Sequence, residues 1–337
     1  MKALVYTANE VVEIREEPEP GARHDASAGD EVIVAIDAVG ICGSDMHAYL
    51  GHDERRVPPL ILGHEAAGRV LSGPRAGIRA VLNPLINCGA CDDCLGGRAN
   101  LCAERDLIGM YRPGAFAERI SIPERNLLPI PDGMDAAHAA LTEPAATALH
   151  AVNLAAKLAH RALAECRCLV FGGGSVGLFA ALALANHGAP VVQLAETNAL
   201  RRATAQSTGR CQAIDPLADG VEDNGFHVVV DAVGSGVTRA AASAAVRPGG
   251  LIIHIGLQDG EAGLDTRRLT LQEVIFVGTY TYTQVDMGAA LRQLHSGGFG
   301  DLAWLEQRSL DEGPAAFADL LKGRTAAPKI VLRPAGQ

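Results

Sequence analysis

The sequence predicts an α/β protein with two domains, and three observations support this prediction. Its 337 residues, 48% of them hydrophobic, are enough to form two cores. Short strand-like runs between Gly and Pro residues dominate up to about residue 150, whereas later apolar runs alternate with helical patterns. A glycine-rich turn also joins a strand pattern to a helix pattern at residues 168–187.

The first part of the chain predicts a compact, irregular β-domain. Its apolar or alternating runs are short, and turn residues separate them. The predicted strands are at residues 3–6, 11–15, 31–39, 68–71, 80–83 and 118–122.

The rest of the chain predicts a parallel sheet covered by helices on both faces, because strands and helices alternate. A helix at 145–163 leads into this part. The predicted strands are at 168–171, 191–195, 211–214, 227–232, 251–255 and 273–278, and the predicted helices are at 176–187, 199–208 and 237–246. Two more helices are predicted at 286–296 and 313–321, and a last strand at 329–332.

Charge and hydropathy argue against several functions. The net charge is −10 and there is no basic run, so nucleic acid and anionic membranes are poor candidates as partners. No apolar stretch approaches the roughly 20 residues that span a bilayer. Residues 1–5 begin a strand pattern rather than a secretory signal. We therefore expect a cytoplasmic protein.

Four cysteines lie close together in the sequence, at Cys88, Cys91, Cys94 and Cys102. Their C-x2-C-x2-C-x7-C spacing suits one Zn²⁺ in tetrahedral thiolate coordination, which would stabilise a loop with few large apolar residues. Disulfide bonds are the alternative, but they are rare in the cytoplasm. The sequence therefore predicts a structural zinc site.

The glycine turn has the G-x-G-x-x-G pattern of a dinucleotide-binding loop. Gly172 permits the tight turn, Gly174 lets a pyrophosphate approach the backbone, and Gly177 lets helix and strand pack closely. The motif alone is weak, because any α/β domain can contain a glycine-rich turn, but its place between a strand and a helix strengthens it. The residues expected to contact a dinucleotide here are Gly172, Gly174, Ser175, Val176 and Gly177.

The choice of cofactor depends on the next predicted strand, which ends at Glu196. An acidic residue there binds both hydroxyls of the adenosine ribose and repels the 2′-phosphate of NADP. Arg201 and Arg202 follow within two helical turns and are counter-evidence, since either can hold a phosphate; a solvated helix face is their other interpretation. The sequence predicts NAD, with NADP less favoured.

A second set of candidate metal ligands is spread over the first domain. It combines thiol, hydroxyl, imidazole and carboxylate groups at Cys42, Ser44, His47, His64, Glu65 and Glu143. A thiol, an imidazole and a carboxylate suit an open zinc site that keeps one position for water or substrate. Spacing alone equally allows a buried thiol, a core histidine and a helix N-terminal acid, so both interpretations stay open on this evidence.

The order of these motifs resembles that of the zinc-dependent medium-chain alcohol dehydrogenases, in particular the sorbitol and polyol dehydrogenase branch. The matching segments span essentially the whole chain and are CGSDMH at 42–47, GHE at 63–65, the four-cysteine loop at 88–102, GAFAE at 114–118, TEP at 142–144 and GGGSVG at 172–177. The resemblance implies a GroES-like β-domain interrupted by a Rossmann domain. It implies a catalytic domain at 1–147, an NAD-binding domain at 148–282, and a segment at 283–337 that returns to the first domain.

The resemblance also assigns roles by position. Cys42 and His64 match ligands of a catalytic zinc, and Glu65 matches the carboxylate that completes the set in sorbitol-dehydrogenase-like members. Glu143 stands where other alcohol dehydrogenases place a second cysteine, so Glu65 and Glu143 are alternatives for the third ligand. Asp45 matches a group that orients a ligand. Together with the four-cysteine site, this implies two zinc ions per chain.

The mechanism implied by the resemblance is hydride transfer from an alcohol. Zinc acts as a Lewis acid on the alcohol, Ser44 accepts the alcohol proton, and His47 releases it to water. The hydride passes to the nicotinamide, against which the family lays the backbone of Ile255, Gly256 and Leu257. A carboxylate in place of a thiolate ligand leaves a harder metal ion, which favours a vicinal diol.

The implied substrate is a secondary alcohol or polyol, and the implied assembly is a homodimer or homotetramer. Thr281 replaces an arginine of sorbitol dehydrogenases, so the polar contacts to the substrate differ. Tyr49, Phe116 and Tyr282 either line the substrate cleft or pack in the core. The alternatives are a threonine-3-dehydrogenase-like enzyme and a zinc- and dinucleotide-binding protein without turnover. The ligand set argues against a zinc-free quinone-reductase-like protein.

Overall fold

The computed structural model describes residues 1–21, 24–25, 29–260 and 262–334 of the chain. Residues 335–337, the end of the predicted return segment, lie outside this description. Within the described residues, no helix has both the length and the apolar character needed to cross a membrane.

The first part of the chain is built from short strands, with helices between and after them. The strands are β1 (Lys2–Ala8), β2 (Val11–Glu16), β3 (His24–Asp25), β4 (Gly29–Gly40), β5 (Leu60–Ile61), β6 (Glu65–Val70), β7 (Arg79–Leu82), β8 (Leu85–Ile86), β9 (Asp106–Leu107), β10 (Arg119–Pro123) and β11 (Leu127–Pro129). The helices are α1 (Gly43–Tyr49), α2 (Asp92–Leu95), α3 (Ala136–Ala140) and α4 (Thr142–Leu158).

The second part alternates strands with helices. Its elements are β12 (Arg167–Phe171), α5 (Ser175–Asn186), β13 (Val191–Ala195), α6 (Ala199–Ser207), β14 (Gln212–Ile214), β15 (Phe226–Asp231), α7 (Gly236–Ala245), β16 (Val246–His254), α8 (Thr266–Leu271), β17 (Ile275–Gly278) and α9 (Gln284–His295). The final elements are β18 (Leu305–Ser309), α10 (Gly313–Leu321) and β19 (Lys329–Arg333).

The second part forms the predicted parallel sheet, with strand order β14-β13-β12-β15-β16-β17. The order reverses between β12 and β15, and ligands of such sheets bind outside the carboxyl ends of the strands at this switch point. Helix α5 is almost entirely buried, which fits its run of Ala and Leu side chains. The α/β fold class is therefore confirmed, including its doubly wound sheet.

Strand β4 organises the first part of the chain. It lies in an eight-stranded sheet of order β11-β7-β6-β4-β19-β18 and also pairs with β10 and β3. The predicted last strand lies here as β19, antiparallel to β4, with Leu332 opposite Val39. The end of the chain thus completes the sheet that carries the candidate zinc ligands.

Helix α4 connects the two sheets and runs across the predicted domain boundary at 147/148. It begins at Thr142, three residues before the predicted start, and includes Pro144 in its first turn. Proline is tolerated there because the N–H it lacks would have no partner inside the helix. Helices α4 and α9 pack against each other, so Glu143 at the start of α4 lies near the junction of the two sheets.

Candidate active site

Cys42, His64 and Glu65 come together because two strands meet at their ends. Gly40 at the end of β4 pairs with Glu65 at the start of β6, and Cys42 and His64 lie just outside this pair. The ligand atoms of Cys42, His64 and Glu65 all lie within 4.8 Å of one another. A Cβ atom on Gly40 would lie 2.1 Å from Glu65 Oε2, so glycine leaves room for the carboxylate. A sulfur, a nitrogen and an oxygen at this spacing fit Zn²⁺ with a fourth position open.

Asp45 contacts two of the candidate zinc ligands, Cys42 and His64. It is fully buried, and its Oδ2 atom accepts a 3.0 Å hydrogen bond from the backbone N–H of Cys42. Its Oδ1 atom lies 3.4 Å from His64 Nδ1, an ion-pair contact that is not aligned as a hydrogen bond. Burial lowers the pKa of His64, but Asp45 and Cys42 outweigh burial and raise that pKa well above its usual value. With Asp45 at Nδ1, a metal ion would bind His64 at Nε2, in place of the proton that the imidazolium carries there.

Lys329 is a partner of Glu65 that sequence reasoning missed. Its Nζ atom lies 2.6 Å from both carboxylate oxygens of Glu65 and donates a 2.8 Å hydrogen bond to the backbone oxygen of Ile41. These three contacts use all three ammonium protons. Burial opposes the charged lysine, but Glu65 raises the pKa of Lys329 above its usual value. The signal in the sequence is the lysine that begins the predicted strand 329–332, whose other three residues are apolar.

Glu143 is not part of the close group that Cys42, His64 and Glu65 form among the described residues. Burial raises the pKa of its carboxyl to about 7, and the charge of Glu65 adds to this effect. The phenol of Tyr282 is buried beside it. Burial and Glu143 raise the pKa of Tyr282 well above its usual value.

Ser44 and His47 lie one turn apart on the short helix α1, so their side chains share one face. Ser44 Oγ is 3.4 Å from His64 Nε2, and the buried guanidinium of Arg56 lies 3.4 Å from the same oxygen. Burial lowers the pKa of His47, and the neighbouring His52 lowers it further. His47 is therefore a neutral imidazole near neutral pH and is able to accept a proton.

The four-cysteine lobe brings its sulfur atoms together as a metal site requires. All four lie within 4.8 Å of one another, with Cys88 Sγ at 3.9 Å from Cys94 Sγ and at 3.6 Å from Cys102 Sγ. The backbone N–H groups of Ala90 and Cys91 donate to Cys88 Sγ and lower the pKa of this thiol to about 6. All eight cysteines, each within the described residues, are free thiols. Four converging sulfurs fit one tetrahedral zinc ion.

We expect Cys91→Ala to lower the melting temperature by roughly 5 °C or more, because a lobe with little core of its own would lose its metal. Differential scanning calorimetry with and without a chelator measures this. The chelator should lower the melting temperature of the wild type and have little further effect on Cys91→Ala. Cys166→Ala, which removes a buried thiol elsewhere, should keep the chelator response of the wild type. Unchanged melting of Cys91→Ala would exclude a zinc-stabilised lobe.

The glycine turn leaves an open space at the N-terminus of α5. Gly172 has φ +99°, and a Cβ atom on Gly177 would lie 1.9 Å from the backbone oxygen of Gly172. A Cβ atom on Gly174, by contrast, would meet no protein atom within 4 Å. The turn is thus closely packed behind and open in front, where the helix N-terminus attracts a phosphate. These residues fit a dinucleotide pyrophosphate.

Glu196 lies directly behind this turn. Its carboxylate accepts hydrogen bonds from the backbone N–H groups of Gly173 (2.8 Å) and Asn198 (2.7 Å), and it contacts the guanidinium of Arg201 at 3.3 Å. Arg202 donates instead to the backbone oxygens of Glu196 and Thr197 and pairs with Asp215. Of the two arginines that sequence reasoning considered, Arg201 contacts the carboxylate of Glu196, whereas Arg202 contacts its backbone oxygen. The Nε atom of Arg201 is buried and has no hydrogen-bond partner among the described residues.

The remaining predicted contact residues fall into two groups. Ile255, Gly256 and Leu257 directly follow β16, at the carboxyl edge of the parallel sheet. Tyr49 and Phe116 are buried and pack against Phe317, with ring centroids 5.2 and 5.9 Å apart. These contacts favour packing over a place in the substrate cleft for these two aromatic residues.

Two family models match the chain, one in each of the two parts that the structure shows. The alcohol dehydrogenase GroES-like domain matches residues 28–132, and the zinc-binding dehydrogenase domain matches residues 175–296. The first match contains the candidate zinc ligands Cys42, His64 and Glu65, and the second contains every strand of the parallel sheet except β12.

Individual proteins resemble the chain over most of its length. L-galactonate-5-dehydrogenase of Escherichia coli (strain K12) is 31% identical over 84% of this chain and 83% of its own. L-threonine 3-dehydrogenase of Yersinia enterocolitica is 27% identical over 98% of this chain and 99% of its own. A solved structure described as a zinc-binding dehydrogenase from Sinorhizobium meliloti 1021, bound to NADP, has a TM-score of 0.84 and 29% identity over 99% of both chains.

Proposed function

Because the chain belongs to the zinc-dependent medium-chain alcohol dehydrogenases, in their polyol branch, we propose that it oxidises a secondary alcohol or polyol with NAD⁺ as hydride acceptor. The observation that carries this proposal is the convergence of Cys42, His64 and Glu65 ligand atoms within 4.8 Å. A bound zinc ion there would supply Lewis-acid chemistry to an alcohol oxygen. The cysteine lobe would hold a second zinc ion.

Glu65 is the carboxylate that we propose as the third zinc ligand, with Glu143 as the alternative. Glu65 belongs to the close group of ligand atoms, and a carboxylate has about four lone-pair sites, so Lys329 does not exhaust its capacity. Glu143, on the first turn of α4, faces the hydroxyl of Tyr282 instead.

The proton path that we propose runs from the alcohol to Ser44 and on to His47. Arg56 lies within 3.4 Å of Ser44 Oγ, where it donates to the oxygen and leaves the hydroxyl proton free to point elsewhere. No described hydrogen bond joins Ser44 to His47. The path therefore needs a bridging hydroxyl, which the cofactor ribose has the chemistry to supply.

For the cofactor we propose NAD, because the carboxylate of Glu196 is held at the turn by two backbone N–H groups. A 2′-phosphate would meet this charge at close range and would have to compete with it for Arg201. The NADP-bound relative shows that proteins of similar sequence accept the other cofactor.

Glu196→Gln is expected to lower the ratio of kcat/KM for NAD⁺ to that for NADP⁺ by roughly ten-fold or more, since one charged hydrogen-bond acceptor is lost. Steady-state kinetics with both cofactors measure the ratio. Arg201→Ala is the matched control: it should weaken use of NADP⁺ and leave NAD⁺ nearly unchanged. A wild type that prefers NADP⁺ would contradict the assignment.

A hydroxyl-rich substrate is favoured by one segment near the candidate site. The side-chain oxygens of Thr279 and Thr281 are buried and have no hydrogen-bond partners among the described residues. Thr281 also has φ +48°, a left-handed conformation that is costly for threonine. Buried hydroxyls without partners cost free energy that a ligand with its own hydroxyls can recover.

A substrate panel tests this function. Neutral polyols, sugar acids such as L-galactonate, L-threonine and ethanol would each be offered with NAD⁺ and NADP⁺, with NADH or NADPH absorbance as the readout. We expect the highest kcat/KM with a polyol or a sugar acid. The second candidate, suggested by the threonine dehydrogenase relative, predicts L-threonine instead. A clear preference for ethanol would contradict the vicinal-diol proposal.

Zinc content and mass separate the remaining alternatives. We propose two zinc ions per chain, and a chain with one zinc and no turnover would favour a binding protein.

We also propose a homodimer or homotetramer. The apolar side chains of Leu95 and Leu101 on the cysteine lobe are exposed and suit a contact with a second copy. Light scattering of the purified protein would reveal a monomer if this is wrong.

A further inference from the structure

Asp231 is a buried carboxylate that the mechanism above does not use. It ends strand β15, where it pairs in register with Phe171 of β12 and His254 of β16. It is fully buried, and its Oδ1 atom accepts hydrogen bonds from the backbone N–H groups of Val233 (3.1 Å) and Gly234 (2.9 Å). One oxygen therefore fixes the loop that follows β15.

The other oxygen of Asp231 joins two further elements. Its Oδ2 atom accepts a 3.1 Å hydrogen bond from Thr238 Oγ1 in the first turn of α7, and it lies 3.2 Å from His254 Nδ1. Because an ionised carboxylate only accepts, His254 carries its proton on Nδ1 in this bond. Burial opposes the charge of Asp231, but these donors together hold its pKa below the usual range.

The backbone of Asp231 holds the segment that follows β16. Its carbonyl oxygen accepts hydrogen bonds from the N–H groups of Ile255 (2.9 Å) and Gly256 (3.0 Å). A Cβ atom on Gly234, which has φ +74°, would lie 2.1 Å from the carbonyl carbon of Gly256. The loops after β15 and β16 are thus in backbone contact, and a shift of one would displace the other.

These loops line the switch point of the parallel sheet. A Cβ atom on Gly172 would lie 2.8 Å from Val233 Cγ2, so the loop after β15 faces the glycine turn. His254 also lines a groove of about 770 Å³ together with Gly256 and Leu257. The histidine and the backbone beside it therefore face the same opening, at the edge where a dinucleotide binds.

We propose that His254 is a positioning residue for the cofactor. Through its bond to Asp231, it holds the backbone of Ile255 and Gly256 in the position that the nicotinamide half of the dinucleotide requires. This inference rests on the proposed function, since it presumes that the crevice binds NAD(H). His254 acts through the carboxylate and the loop backbones, and it need not touch the reacting atoms.

The test compares His254→Leu, His254→Asn and the wild type by fluorescence titration with NADH or NADPH, whichever the wild type binds more tightly. Leucine suits a strand and removes the bond to Asp231, whereas the amide of asparagine can donate from about the position of Nδ1. We expect His254→Leu to raise the dissociation constant roughly ten-fold, as loss of a hydrogen bond to a charged group predicts. His254→Asn should recover most of the affinity.

His227→Leu is the matched control at the opposite edge of the same sheet. His227 lies near the start of β15, where its ring contacts the backbone N–H of Arg167 and the guanidinium of Arg247. Its replacement therefore also removes hydrogen bonds from a strand histidine. It should lower the melting temperature without changing cofactor affinity. Unchanged cofactor affinity of His254→Leu would overturn the inference. It would also be overturned if His254→Asn and His227→Leu both lost as much affinity as His254→Leu. A wild type that binds neither dinucleotide would refute the proposed function itself.

Discussion

Replacing Cys42 by alanine is expected to lower kcat/KM for alcohol oxidation by roughly a thousand-fold or more, because metal-assisted activation contributes several kcal/mol. Cys42 precedes α1 and supplies the sulfur of the candidate ligand group. Its side chain is only half-buried, so the fold should survive the change. Binding of NADH, followed by fluorescence, should remain close to that of the wild type, because the crevice is built from other elements.

Cys211→Ala is the matched control for this prediction. Cys211 is a buried thiol beside α6, where its Sγ contacts the backbone oxygen of Ala205, and it lies outside both candidate metal groups. It should keep turnover and a zinc content of two ions per chain, whereas Cys42→Ala should retain one. Near-normal oxidation by Cys42→Ala, at one zinc ion per chain, would disprove the proposed mechanism.

Replacing Lys329 by methionine is expected to lower the free energy of unfolding by about 3–5 kcal/mol, because the change leaves the buried carboxylate of Glu65 without its partner. Lys329 is 2% exposed and Glu65 is 0% exposed, so water does not replace the lost ammonium group. Urea unfolding of the metal-free protein measures the effect. Zinc should reduce it, since a cation on Glu65 compensates part of the missing charge.

Two further variants make this prediction specific. Lys322→Met carries the same substitution on an exposed residue at the end of α10 and should change stability little. Lys329→Met combined with Glu65→Gln should be less destabilised than Lys329→Met alone, because the uncompensated charge is gone. If Lys329→Met unfolded at the same urea concentration as the wild type, the pair would be unimportant for stability. An effect that zinc leaves unchanged would favour Glu143 as the third ligand.

The parts of the fold that depend on local patterns were predictable from the sequence. Helix α10 has its predicted bounds, and α5 begins one residue before its predicted start. The glycine turn and the four-cysteine lobe were also recognisable, because the residues that make each of them are close in sequence. A period of two or of 3.6 residues is visible in a single segment and needs no knowledge of the partner.

The parts that depend on distant partners were not predictable. Helix α1 is seven residues long, too short to show a helical period, and strand β18 has few apolar residues. Residue spacing left the catalytic group undecided, because the pairing of Gly40 with Glu65 decides which side chains meet. Family resemblance supplied that group, but it did not reveal Lys329 or the bond between Asp231 and His254. Each of these bonds joins residues from different strands.

The position of Lys329 has a consequence for how the protein is made. It follows Glu65 by 264 positions, so at ordinary rates of translation the carboxylate waits on the order of tens of seconds for its lysine. During that interval the nascent sheet also lacks β19, the neighbour of β4. Until β19 docks, the carboxylate of Glu65 lacks its ammonium partner and is stable only in contact with water. We expect the first domain to reach its native stability only when β19 docks beside β4 and brings Lys329 to Glu65.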